Sequence, residues 1–204
     1  QAMVSYAKML YSGEYTIVNK KEASEYFKKA ADLGDYHAMF EIGKMLVNGD
    51  GIPERKKEGR EYLFNSIRNQ DVDLMYFYGQ LLRKGEGIPI DKIEALRLIK
   101  LSADKYYEPA MFAYGQMLIK GEGTEINKNE GMKYIMKSLE LNPECMYEFG
   151  EMLRKGDGIP VDKKSAAEWF QKSIKFGGNK SLISYGVMEY FGEGIPVDKN
   201  DGIR

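Results

Sequence analysis

Between Ala110 and Asp162 the chain reads AMFAYGQMLIKGEGTEINKNEGMKYIMKSLELNPECMYEFGEMLRKGDGIPVD. Gly115 stands six residues ahead of the Gly121-Glu122-Gly123 triplet and Gly131 follows ten residues after its start, and the same order begins again at Gly150, Gly156-Asp157-Gly158 and Ala166. Working outward, Gly-x-Gly recurs at Gly49/Gly51, Gly85/Gly87 and Gly192/Gly194, with a worn copy at Gly13-Glu14-Tyr15. Successive first glycines are 36, 36, 36, 35 and 36 residues apart. Small residues keep the same register on both sides: Ala7, Gly43, Gly79, Gly115, Gly150 and Gly186 before, Ala23, Gly59, Ala95, Gly131, Ala166 and Gly202 after. A fixed period of this length signals a solenoid of stacked units.

The 204 residues therefore read as one array of nearly six units, at about 1–35, 36–71, 72–107, 108–142, 143–178 and 179–204. Hydrophobic residues at 43 %, charged residues at 30 % and only six prolines fit an ordered helical protein. A formal net charge of −1 with no basic stripe argues against nucleic acid as a partner. No apolar run approaches the roughly 20 residues that cross a bilayer, so membrane insertion is not expected. The chain begins within a repeat at Gln1-Ala2-Met3-Val4 and stops at Asp201-Gly202-Ile203-Arg204, early in a further helix, which reads as a piece cut at both ends from a longer protein. Uncapped ends with apolar faces are expected to pair weakly between molecules. The cytoplasm is the expected compartment, with the lumen of the endoplasmic reticulum as the alternative.

Each unit reads as helix A, a glycine loop, helix B and a tight turn. Ala38, Met39, Ile42, Met45 and Leu46 recur at spacings of three and four, which predicts a helix A from about Tyr36 to about Asn48. Gly43 within it costs about 1 kcal/mol relative to alanine, so its return in five of six copies calls for a close helix approach. The first loop glycine is expected to end helix A in a left-handed conformation, and the following proline, as in Gly85-Glu86-Gly87-Ile88-Pro89, to stiffen the exit. Asn19, Asp91, Asn127, Asp162 and Asp198 fall where helix B begins, with Glu22, Glu94 and Glu130 three residues later, the pattern of a capping box. Tyr26, Phe27, Ala30 and Ala31, matched by Trp169, Phe170, Ser173 and Ile174, give helix B its buried face. Pro143 opens the fifth helix A, where proline is tolerated.

The glycine of helix A, the Gly-x-Gly-Ile-Pro-x-Asp-Lys loop and the Trp-Phe-x-Lys-Ser pattern of helix B together resemble the Sel1-like repeat family, relatives of tetratricopeptide repeats, over essentially all 204 residues. The family commonly has tyrosine three residues after the helix A glycine; this chain has Leu10, Leu46, Leu82, Leu118 and Leu153, and Glu189 in the last copy. The resemblance implies an all-α, right-handed α/α superhelix acting as an adaptor that gathers other proteins in signalling assemblies or in quality control at the endoplasmic reticulum. It implies no reaction and no cofactor. The alternatives it leaves are a regulatory or targeting array of a larger enzyme, such as a kinase, and an endoplasmic reticulum adaptor.

The residues themselves offer little to catalysis. His37 is the only histidine and Cys145 the only cysteine, so a triad or a metal site has almost nothing to be built from, and internal disulfides are excluded. His37 is expected to cap or line the start of a helix A, and Cys145 to be a small packing residue in the slot of Ala38, Ala110 and Ser181. The Gly-x-Gly loops lack the third glycine of a dinucleotide fingerprint and follow helices, and one carboxylate per repeat cannot gather the six to eight oxygens of a calcium site, so helix termination is their expected role. Asn179-Lys180-Ser181 matches a glycosylation acceptor and by itself carries no argument.

By analogy with tetratricopeptide helices, three positions per helix A are expected to face a concave groove that takes a protein or peptide. The first holds Phe40, Tyr76, Phe112 and Tyr147, although these rings could equally be core between adjacent A helices. The second, just after the glycine, holds Lys44, Gln80, Gln116 and Glu151. The third holds Arg83, Ile119, Arg154 and Tyr190, with Tyr11 and Val47 in the same register. Aromatic rings, arginines and amides are the composition of a partner-binding surface, and Arg83 and Arg154 are expected to be replaceable at little cost in stability.

Overall fold

The computed structural model describes residues 2–140 and 142–197. Eleven α-helices and no strand are found among them: α1 (Ala2–Ser12), α2 (Lys20–Asp32), α3 (Tyr36–Asn48), α4 (Lys56–Ser66), α5 (Val72–Lys84), α6 (Lys92–Ala103), α7 (Glu108–Lys120), α8 (Lys128–Ser138), α9 (Pro143–Lys155), α10 (Lys163–Lys175) and α11 (Asn179–Phe191). Odd-numbered helices are A helices and even-numbered ones B helices, as the period requires. Helix α3 keeps the predicted bounds. Asp198 and Gly202 lie outside the described residues.

The chain forms two compact units, Gln1–Ser102 and Ala103–Arg204. In unit 1, Val4, Ala7 and Leu10 of α1, Phe27, Ala30 and Ala31 of α2, and Ile42, Met45 and Leu46 of α3 make one apolar core. In unit 2, Phe112 and Ile119 of α7 meet Ile135, Met146, Phe149 and Met152, and a second cluster joins Ala166, Ala167 and Phe170 to Met188 of α11.

The helix A glycine is needed for the hairpin. A Cβ on Gly115 would lie 2.6 Å from the Gly131 carbonyl oxygen of α8, and a Cβ on Gly131 would lie 2.6 Å from the Gly115 carbonyl. Backbone meets backbone there, and no side chain fits between. Gly49, Gly85, Gly121, Gly156 and Gly192 end their helices with φ between 65° and 76°, each donating its N–H to the carbonyl four residues back, as predicted.

Helix B starts differently from a full capping box. The side-chain oxygens of Asn19, Asp91, Asn127 and Asp162 accept the amides of Glu22, Glu94, Glu130 and Ser165 at 3.0 to 3.1 Å. The return bond from Glu to the cap backbone is not the one made. That N–H instead crosses the hairpin to a helix A carbonyl: Asn19 to Leu10, Arg55 to Leu46, Asp91 to Leu82, Asn127 to Leu118 and Asp162 to Leu153, at 2.8 to 3.0 Å. The glutamates turn elsewhere, Glu22 to the Asn19 amide and Glu94 to Arg97. The five leucines therefore tie the hairpin through their carbonyls, and four of their side chains are buried.

Candidate functional site

In unit 1, α3 and α5 lie one repeat apart, so their corresponding faces present side by side. Phe40 is buried, its ring 6.0 Å from that of Phe77, which in turn is 5.3 Å from Tyr76. Lys44 places its ammonium 5.0 Å above the Phe40 ring and pairs with Glu41 at 2.8 Å. Gln80 donates through Nε2 to the Tyr76 hydroxyl at 3.1 Å, while its Oε1 is enclosed with no hydrogen-bond partner among the described residues. Arg83 is half-buried at the end of α5. Phe77 was not singled out by sequence, yet it is 44 % exposed in the middle of this patch. The signal was available: its slot holds Ser5, Glu41, Ala113, Glu148 and Ser184 in the other copies, so phenylalanine breaks the pattern.

In unit 2 the expected groove residues divide. Phe112 at 5 % exposure is core, as is Phe40 at 5 %, the second of the two readings that the sequence leaves open for these rings; Ile119 at 2 % is core too, against its expected place in the groove. Ile119 is covered by the next repeat's loop, where a Cβ on Gly158 would come within 2.7 Å of its Cγ2. Val47 is enclosed in the same way beneath Gly87. Gln116 reaches the Met152 sulfur at 3.5 Å. Tyr147 and Tyr190 are half-buried, Tyr147 with the Lys180 ammonium 5.9 Å from its ring centre and Tyr190 edge-on to Phe191.

Glu151 and Arg154 are bound to each other. Two guanidinium hydrogen bonds of 3.0 and 3.2 Å reach a carboxylate that is almost wholly buried, Lys155 joins at 2.5 Å, and the Ser184 hydroxyl donates at 3.1 Å. Burial would raise the Glu151 carboxyl, but the hydrogen bonds from Arg154, Lys155 and Ser184 prevail and hold it below the usual range. On the same helix Glu148 reaches solvent and makes no ion pair within 4.0 Å among the described residues; partial desolvation, and then Glu144, push its carboxyl up against the weaker pull of Lys180 and Lys155.

The acid between the two loop glycines reaches back to the preceding repeat. Asp50 accepts from the Tyr11 hydroxyl at 2.5 Å and from Lys20 at 2.7 Å, both in the preceding repeat. Asp157 takes Lys120 at 2.6 Å, and Glu193 takes Lys163 at 3.4 Å and Arg154 at 3.6 Å. The hydrogen bond from Lys20, then that from Tyr11, holds the Asp50 carboxyl down, and the bond to Asp50 raises the Tyr11 phenol to about 12. A loop acid and a helix B lysine 30 residues earlier recur as a pair at Lys20/Asp50 and Lys163/Glu193, a spacing visible in the sequence once both series are compared.

Cys145 is buried, and burial pushes its thiol up to about 12, which keeps it protonated and unreactive. His37 sits at the start of α3 but does not cap it: the Asp35 carboxylate accepts the Ala38 amide at 2.9 Å, and His37 Nε2 lies 3.7 Å from Asp71. No cluster of three or more metal-ligating side chains occurs among the described residues, and no described helix is long and apolar enough to cross a membrane.

Helix hairpins closed by glycine contacts and clasped through their loops define an all-α repeat protein. The chain belongs to the Sel1 repeat family, whose sequence model matches residues 1–35, 37–69, 72–107, 108–142, 143–175 and 180–204. Among solved structures it is similar to a Sel1 repeat protein from Oxalobacter formigenes, with TM-score 0.71 and 23 % identity over 98 % of this chain and 58 % of that one. It is also similar to c5321, a protective antigen of uropathogenic Escherichia coli (TM-score 0.67, 21 % identity, 98 % of this chain and 43 % of that one). A third is the immunity protein Pa5087 of Pseudomonas aeruginosa (TM-score 0.69, 16 % identity, 99 % and 77 %). The chain thus spans less than two thirds of the first two proteins, and at these identities the likeness is one of fold. No curated protein matches the sequence. Sel1 repeats serve in general as protein–protein interaction modules without catalytic activity.

Proposed function

We propose that this chain is a non-enzymatic scaffold that holds segments of partner proteins on its A-helix faces, in unit 1 around Phe77 with Lys44, Tyr76 and Gln80, and in unit 2 around Tyr147 and Glu148. The observation that supports this reading is Phe77. A large ring 44 % exposed, set against two further rings of which Phe40 carries the Lys44 ammonium and Tyr76 the Gln80 amide, is an anchor site of the kind that dominates protein interfaces. Glu148 adds a carboxylate that solvent reaches and that makes no ion pair within 4.0 Å among the described residues, Lys180 and Lys155 acting on it only from farther off, which favours a basic residue on the partner.

The test is selection of binding peptides from a display library against the intact chain, followed by titration against variants. Phe77→Ala or Glu148→Gln is expected to weaken the selected peptides at least about 10-fold, equal to about 1.4 kcal/mol, with the melting temperature unchanged. Phe64→Ser on the exposed side of α4 and Ile126→Ser on a loop edge serve as comparison sites. Loss of binding on those two substitutions, with Phe77→Ala and Glu148→Gln silent, would move the site off the A helices.

A further inference from the structure

The second glycine of the A–B loop is where one repeat touches the one before it. Gly51 and Gly87 in unit 1 and Gly158 and Gly194 in unit 2 share a left-handed φ of 73° to 79°. A Cβ on Gly51 would fall 2.3 Å from Lys20 Cβ, and on Gly87 2.6 Å from Val47 Cγ2 and Asn48 Oδ1. On Gly158 it would fall 2.7 Å from Ile119 Cγ2, and on Gly194 2.6 Å from Lys163 Cβ and 2.7 Å from the Lys163 carbonyl carbon. The atoms met belong each time to the preceding repeat, at the end of its helix A or the start of its helix B. Separations this short are not tolerated in packed interiors. The seam is therefore closed to any side chain.

Repeat 1 has Tyr15 at this position. Its φ of 62° keeps the left-handed conformation of the glycines, so its Cβ points where theirs would. For an aromatic residue that backbone is uncommon and costs about 1 kcal/mol or more. The ring is 88 % exposed, and Ile17, in the place of the usual loop proline, is 87 % exposed beside it. The side chain thus stands in the space into which a preceding repeat would have to pack.

We propose that Tyr15 closes the outer side of repeat 1 to repeat-on-repeat stacking. Whatever sequence precedes Gln1, no Sel1 repeat, from this chain or from a second copy, packs on repeat 1 in the register used between neighbouring repeats within each unit. The expected weak pairing through uncapped ends is opposed at this end for the same reason.

The experiment adds a repeat and asks whether it stacks. A second copy of residues 36–72 joined ahead of Gln1 keeps the register, because Gly79 and Ala7 are corresponding positions and so are Gly87 and Tyr15. Adding a stacked repeat to a linear array raises its stability through the new neighbour contact. Urea midpoints are measured for the native chain, the lengthened chain, and both with Tyr15→Gly, so that the strain relieved by Tyr15→Gly alone is subtracted; circular dichroism checks that the added residues are helical. The expected result is a higher midpoint on lengthening only in the Tyr15→Gly background. An equal rise in both backgrounds would overturn the proposal, and so would no rise in either, since the tyrosine would then not be what closes that face.

Discussion

At the scale of single residues, two buried polar groups of α11's neighbourhood have opposite expectations. Ser181 is fully buried and its hydroxyl has no partner among the described residues, in a slot that Ala38 and Ala110 fill without any polar atom. Ser181→Ala is expected to stabilise the chain by about 1 kcal/mol in urea unfolding, by removing an unpaid desolvation; a loss of stability would mean that the hydroxyl is bonded after all. Glu151 is the reverse case, buried but satisfied. Because its folded carboxyl lies below the unfolded value of about 4.3, its contribution is present above that value and is lost as pH falls through the lower, folded one. The stability gap between the native chain and Glu151→Gln, followed by urea unfolding from pH 7 downward, should therefore shrink in acid. Arg154→Ala should now cost about 1 kcal/mol or more, against the sequence expectation of little change, because the arginine is tied into this carboxylate on one side and to Glu193 on the other.

At the scale of the helix, intrinsic propensity and packing disagree and packing wins. Alanine is the better helix former by about 1 kcal/mol, yet Gly115→Ala or Gly131→Ala would drive a methyl to 2.6 Å from a backbone oxygen of the facing helix. Backbone cannot step aside as a flexible side chain can, so each substitution is expected to destabilise by about 1–3 kcal/mol in thermal or urea unfolding. A stabilising result would show that the hairpin has room to open. Ala23, Ala95 and Ala166 occupy the slot of Gly131 in other repeats, where the helices tolerate one methyl.

At the scale of the whole chain, each helix within a unit is stabilised by the helices packed against it. In unit 1, α3 packs against both α2 and α4, whereas α1 packs against α2. The Leu10 amide is therefore expected to exchange hydrogen faster than the Leu46 amide, although both side chains are buried to similar degree; equal protection would mean that unit 1 opens as one body. The sequence by itself determined the period, the alternation of A and B helices, the bounds of α3, the left-handed glycines and the Sel1 membership. All of these are local: a helix stop, an N-cap or a three-to-four apolar spacing is written within a dozen residues and recurs from repeat to repeat. Tertiary structure alone decided which A-helix side chains remain available. Val47 and Ile119 are sealed because the following repeat's loop glycine packs on them, while Phe77 stays open; position within a helix does not reveal what a chain segment some forty residues later will cover. The loop acids have no role in the sequence reading beyond being too sparse for calcium, for the same reason: Asp50 and Glu193 find their partners in the preceding repeat, at a distance in sequence that only the stacking of hairpins brings to 4 Å or less.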